Sequence, residues 1–247
     1  MPGLTVQVDA SLADNPVGAI TAAVKTPSKT KGQLAAARTT YVANGSLAAD
    51  EARAVGFSDA EVDDMVQPHA VAPALAPGDI LDSWCVDVSG DVKDGKAYAW
   101  GHGCNVRKVM QMNGADWYVG DQISGTANDT GNFTTGHALT NFRLRNDWDS
   151  GNTVVQYSPT GVVNTSSCGT FNPSLTFDKV TVSASSQLCA DNLQPTFNGS
   201  FGFGAKWNGC NAFNYNQGVA AVDVVHSPPS ASLGATLYAT IWWASLC

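Results

Sequence analysis

The sequence predicts a mainly β fold: an antiparallel β-sandwich, jelly-roll-like or barrel-like, carrying a small helical arm at its N-terminus. Three observations point to it. Ten or so short apolar runs beyond residue 80 are separated by turn-forming pairs such as Asn113-Gly114 and Asn198-Gly199. No long helical periodicity occurs in that stretch, which leaves a sandwich or barrel. Composition also changes along the chain, since 20 of the 22 aromatics and all six cysteines lie after residue 80. With 247 residues, the chain suffices for one large domain and an appendage.

The first region, 1–66, opens with Leu4-Thr5-Val6-Gln7-Val8, whose alternation fits a strand. Three short helical candidates follow. Residues 32–43 are Ala-rich and stop at Asn44-Gly45; Ser46 can cap 47–55; and Ser58-Asp59-Ala60-Glu61 fits a capping box for a helix to about Val66. Each is too short to stand alone and must pack on something. Residues 67–79 hold three prolines and a Pro-Gly pair, the chemistry of a linker. The first region therefore reads as a prosegment, as a flexible spacer, or as an arm whose leading strand adds to a sheet edge.

In the second region, 80–247, the clearest strand is 233–243. Leu233, Ala235, Leu237, Ala239, Ile241 and Trp243 fall on one face, and Thr236, Tyr238, Thr240 and Trp242 on the other. The remaining candidates are 84–89, 96–100, 105–112, 116–119, 138–145, 153–157, 175–185, 200–207 and 218–225, with a further turn expected at Asn208-Gly209. No repeat of fixed period is present, which argues against a propeller or solenoid.

The cysteines Cys85, Cys104, Cys168, Cys189, Cys210 and Cys247 are even in number and lack any C-x-x-C spacing. That favours three disulfides over a zinc ribbon, and pairing of sequence neighbours gives Cys85–Cys104, Cys168–Cys189 and Cys210–Cys247. Disulfides imply an oxidising compartment, and the expectation is a secreted, extracellular protein. A net charge of −8 and a pI near 4.7 argue against nucleic acid as partner, and no apolar run is long enough to span a membrane. The partners expected are a polysaccharide or an extracellular protein, with homo-oligomerisation through the arm as an alternative.

Activity is less legible. No Glu follows Glu61, so the second region offers only Asp for paired-carboxylate chemistry. G-x-S-x-G and H-E-x-x-H are absent. A His/Asp/Ser constellation survives, built on His102 or His226 with Asp121 or Asp223. His102 draws attention because Gly101 and Gly103 flank it and leave room for close approach. No cofactor is implied. Ca²⁺ is the one ion with a candidate donor set, Asp147 and Asp149 ahead of Gly151, where the alternative is a polar turn.

Aromatics near turns or on a polar strand face form the ligand-binding set: Trp117, Tyr118, Trp148, Trp207, Tyr215 and Trp242, joined by Asn211 from an amide-rich stretch. Such rings stack on sugars, and amides supply hydrogen bonds. The alternative is that the Trp residues are core and the Asn residues make turns. The function expected is a secreted binding or surface module. A latent hydrolase and a subunit of an extracellular assembly joined by strand addition are the alternatives.

Overall fold

In the computed structural model the residues described are 4–8, 18–31, 33, 75–93, 96–129, 137–189, 191–211 and 216–245. Sixteen strands are described: β1 (Leu4–Val8), β2 (Gly18–Lys25), β3 (Ile80–Lys93), β4 (Lys96–Asn113), β5 (Asp116–Asp129), β6 (His137–Trp148), β7 (Thr153–Ser158), β8 (Val163–Thr165), β9 (Gly169–Phe171), β10 (Ser174–Phe177), β11 (Val180–Ser183), β12 (Ser186–Leu188), β13 (Asp191–Asn198), β14 (Gly202–Asn211), β15 (Gln217–Ser227) and β16 (Ala235–Ser245). They form a seven-stranded sheet, β1-β2-β16-β6-β14-β13-β8, and a five-stranded sheet, β3-β4-β5-β15-β7. All pairings are antiparallel. The chain crosses repeatedly between the sheets, which pack face to face.

The alternation of β16 is realised as expected. Leu233, Ala235, Leu237, Ala239 and Ile241 are fully buried and meet Val86, Val88, Ile123 and Ala221 of the other sheet in one core. The glycines of β4 serve this packing. A Cβ at Gly101 would stand 2.8 Å from Phe142, and one at Gly103 would collide with Leu144. Their smallness lets β6 side chains of the facing sheet fill the interior. Because side chains alternate along a strand, His102 between them points to the opposite, outer face.

Several expectations are refined. Residues 96–112 form one strand rather than two, running through the glycines. The run 175–185 is a hairpin, β10 with β11. Asn208-Gly209 is a bulge inside β14 instead of a turn. Asn113-Gly114 does make the β4–β5 turn, with Gly114 at φ 61°. Strand β13 is additional, its pattern interrupted by Pro195. That residue sits beyond the reach of β8, which pairs only with Asp191–Leu193, so its missing N–H costs no ladder bond on that side.

β2 is also additional, and it lies inside the seven-stranded sheet between β1 and β16. Lys31, just after it, donates to the carbonyls of Ala115, Ser227 and Pro228. The N-terminal strand expected at residues 4–8 thus pairs through β2. The helical candidates at 34–66 and the linker stretch 67–74 lie outside the described residues.

The segment between β8 and β13 leaves the sandwich as two small ribbons, β9 with β12 and β10 with β11. The Cys168–Cys189 disulfide closes its base. It lays Val182, Ala184, Leu175, Phe177 and Val180 over Met110, Ala220, Val222 and Val224 on the outer face of the five-stranded sheet. This explains why β15 is buried almost throughout and lacks alternation: it has apolar cover on both faces.

Candidate functional site

Three polar constellations emerge, and strand parity sets all three. The first lies inside the sandwich. Asp82, Arg107, Asp121 and Asp223 are register partners across β3, β4, β5 and β15, so they form one transverse row. Arg107 donates from Nε to Asp82 Oδ1 at 2.6 Å and from Nη2 to Oδ2, and Nη1 donates to the Leu233 carbonyl. Its guanidinium carbon sits 4.8 Å from the Trp84 ring centre and 5.0 Å from that of Trp148. Burial works against its charge, but Asp82, then Asp121 and Asp149, outweigh burial and raise its pKa.

Asp121 accepts from Asn146 Nδ2 at 2.6 Å and Trp148 Nε1 at 2.9 Å. Burial pushes its carboxyl up to about 6, against the pull of Arg107 and the amides of Asn146 and Asn105. Asp223 stands beside it with neither oxygen bonded to a side chain. Burial, then the charge of Asp121, drives its pKa well up, with partial compensation from the Asp121 main chain. Both carboxyls are fully buried.

The second constellation is on the outer face of the five-stranded sheet. Cys85 and Cys104 are opposite one another on β3 and β4 and are joined in a disulfide. The next outward pair is Asp87 and His102. His102 Nδ1 lies 2.7 Å from Asp87 Oδ1, and Nε2 lies 3.2 Å from Cys104 Sγ.

The third is the outer face of the seven-stranded sheet. Register places Trp242, Asn141, Asn208 and Asn192 in one row, and Thr240, Arg143, Lys206 and Gln194 in the next. Asn141 Nδ2 donates to Asn208 Oδ1 at 2.8 Å, and Asn208 Nδ2 to Asn192 Oδ1 at 3.0 Å. Arg143 and Lys206 lie 5.3 and 5.7 Å from the Trp242 ring centre, and Arg145 lies 5.4 Å from that of Tyr238. Burial and then the Arg145 charge lower the Arg143 pKa; burial and then Arg143 lower that of Lys206. Asp147 offsets part of this repulsion: it accepts both hydrogen bonds of the Arg145 fork and acts to raise the Arg143 pKa.

The residues singled out from the sequence are dispersed by the fold. Asp121 and Asp223 are neighbours of each other and not of a histidine. His102 pairs with Asp87, and His226 pairs through Nε2 with Asp116 Oδ1 at 2.8 Å. Parity is the reason: His226 is three residues from Asp223 on one strand and so takes the opposite face. None of the hydrogen bonds of either imidazole goes to a serine or threonine among the described residues.

Trp117, Trp148 and Trp207 are core residues at 6%, 2% and 0% exposure, and Asn211 is buried at 2%. Rings so placed present no face to a ligand. Tyr118 is stacked on Phe177 and tilted against His226 under the ribbon segment. Trp242 alone of the described aromatics in that set lies on the polar face; Tyr215 lies outside the described residues.

Asp147 and Asp149 serve separate ties. Asp147 accepts from Arg145 and Asn198, while Asp149 accepts from Ser28 and Ser232 and has Lys25 Nζ at 3.9 Å. Cys85–Cys104 and Cys168–Cys189 are the expected pairs. Cys210 is disulfide-bonded as well, and Cys247 lies outside the described residues. Two such bridges suit an oxidising, extracellular compartment. Among the described residues no helix is long and apolar enough to cross a membrane.

Sequence reasoning missed Arg143, Arg145, Lys206, Tyr238 and Asp87. The signal was present as parity. Asn141, Arg143 and Arg145 share a face, as do Lys206 and Asn208, and as do Cys85 and Asp87. No family model matches the sequence, and no curated protein matches it either.

Proposed function

We propose that the protein is an extracellular binding module whose outer seven-stranded face takes an acidic polysaccharide, one bearing carboxylate or sulfate groups. One observation carries this reading. The chain has a net charge of −8 and only 13 Lys and Arg residues, yet Arg143 and Lys206 converge on one partly exposed face beside Trp242, with Arg145, paired to Asp147, next to them over Tyr238. An anion seated there relieves the repulsion between Arg143 and Lys206, which favours charged over neutral polymers. The guanidinium fork suits bidentate carboxylate or sulfate recognition. The amide row from Asn141 to Asn192 supplies donors and acceptors for hydroxyls.

Retention on polygalacturonate or alginate beads, compared with neutral cellulose, tests the reading. The expected result is retention on the carboxylated matrices, elution by salt, and loss of retention in the double variant Arg143→Gln/Lys206→Gln. Equal retention of that variant, or passage of the wild type through carboxylated and sulfated matrices alike, overturns it.

A further inference from the structure

A different observation carries a second activity, independent of the polysaccharide face. We infer that the Cys85–Cys104 bridge is a thiol–disulfide exchange site, with His102 as proton donor and acceptor and Asp87 as the residue that positions it. Four side chains form a square on the outer face of β3 and β4: the bridge on one rung, Asp87 and His102 on the next. Asp87 accepts the Nδ1–H of His102, which fixes the ring and leaves Nε2 facing Cys104 Sγ at 3.2 Å. That is where a departing thiolate needs a proton. Cys104 is 7% exposed, whereas Cys85 is only partly buried, so an incoming thiol reaches Cys85 first.

A thiolate of a dithiol reductant forms a bond to Cys85 Sγ, and the Cys85–Cys104 bond breaks. The electron pair of that bond goes to Cys104 Sγ, which takes the Nε2 proton of the His102 imidazolium. The second thiol of the reductant, losing its proton, then attacks the mixed disulfide. Cys85 is released as a thiol, and the reductant leaves as a disulfide. In reverse, the Cys85 thiolate attacks a disulfide of the partner and releases one partner thiolate; neutral His102 then removes the proton of the Cys104 thiol, whose sulfur attacks Cys85 Sγ, re-forms the bridge and releases the second partner thiolate. The substrate class is thus a dithiol in one direction and a disulfide in the other.

The molecule contains its own reference. Cys168 is exposed, yet no imidazole is hydrogen-bonded to the Cys168–Cys189 bridge among the described residues. Exposure alone therefore favours reduction of that bridge, while proton donation favours the other.

The test exposes the full chain to dilute dithiothreitol, and separately to glutathione, quenches with iodoacetamide and maps each cysteine by peptide mass spectrometry. Cys85–Cys104 is expected to open about tenfold or more faster than Cys168–Cys189, with the glutathione adduct on Cys85. In His102→Gln the opening of Cys85–Cys104 should slow by about tenfold or more, and the adduct should spread over both cysteines. An unchanged rate at Cys168–Cys189 reports that the variant is folded. Opening of Cys85–Cys104 no faster than the reference bridge, an adduct on Cys104 in the wild type, or an unaltered rate in folded His102→Gln each overturns the assignment. The adduct position in the wild type is read without any variant.

Discussion

The two outer faces of the sandwich solve opposite problems. The five-stranded sheet carries an apolar strip on its outside, Met110, Ala220, Val222 and Val224, and covers it with a ribbon segment closed by Cys168–Cys189. The seven-stranded sheet carries Arg143, Arg145, Lys206 and a hydrogen-bonded amide row on its outside. One face spends its side chains on burial and gains stability from the hydrophobic effect. The other sets Arg143 beside Lys206, a cost to stability that Asp147 offsets in part through Arg145. Apolar cover and, in the function proposed above, recognition fall on different sheets.

A charge placed on each face should separate the two most strongly. Val182→Asp puts a carboxylate where the side chain is fully buried, and it should lower unfolding free energy by about 3–5 kcal/mol. Gln194→Asp on the opposite face should change it by about 0.5 kcal/mol or less. Equal effects in urea titrations of the two variants would remove the distinction.

Next comes removal of the closing bridge. Cys168→Ala/Cys189→Ala should cost about 2–4 kcal/mol and raise binding of an apolar fluorescent dye, as the ribbon segment loosens over its strip. A stability loss without new dye binding would mean that the segment holds its place without the bridge.

The interior row gives a smaller effect of opposite sign. Asp121 and Asp223 have folded pKa values raised above the ordinary carboxylate value of 3.8, with Asp121 at about 6. Between those values the native state keeps protons that the unfolded chain has lost. The contribution of Asp121 therefore falls as pH rises from about 4 through 6, and that of Asp223 likewise falls as pH rises above about 4. Asp223→Asn keeps the shape and removes one buried acid, so it should stabilise the protein by about 1–3 kcal/mol at pH 7. The gain should shrink as pH is lowered toward 4. Thermal unfolding of both proteins across that range checks the sign; a gain that grows on acidification contradicts it.

The least expected change in stability is at the recognition face itself. Arg143→Gln/Lys206→Gln should alter unfolding free energy by about 1 kcal/mol or less, while retention on carboxylated polysaccharide is lost. A large loss of stability would make these cations structural, and the contrast between the faces would fail.

Much of this was legible along the chain and some was not. The strand at 233–243 could be read because one face is aliphatic and the other carries Thr, Tyr and Trp, a pattern that only a half-covered strand needs. β15 could be read as a strand, but not as one covered twice, since its second cover comes from residues 175–184. Gly101 and Gly103 suggested room for an approach to His102. Their role is instead to admit Phe142 and Leu144 from the facing sheet, a relation across 41 residues that no local pattern carries. The tryptophans were a binding set or a core by composition alone, and burial divides them, with Trp207 inside and Trp242 on the polar face.

Neighbours along the chain were enough to set β character, the turn at Asn113-Gly114, and which side chains share a face of one strand. The even, widely spaced cysteines pointed to disulfides and left their pairing open; antiparallel register between β3 and β4 is what brings Cys85 opposite Cys104. Which strand lies beside which was decided only in three dimensions. Pairing across a sheet aligns residues distant in sequence, and so set Asp121 beside Asp223, Asp87 beside His102, and Arg143 beside Lys206. Alternation fixes a face locally; register between strands, settled by packing of the whole core, decides what each face contains.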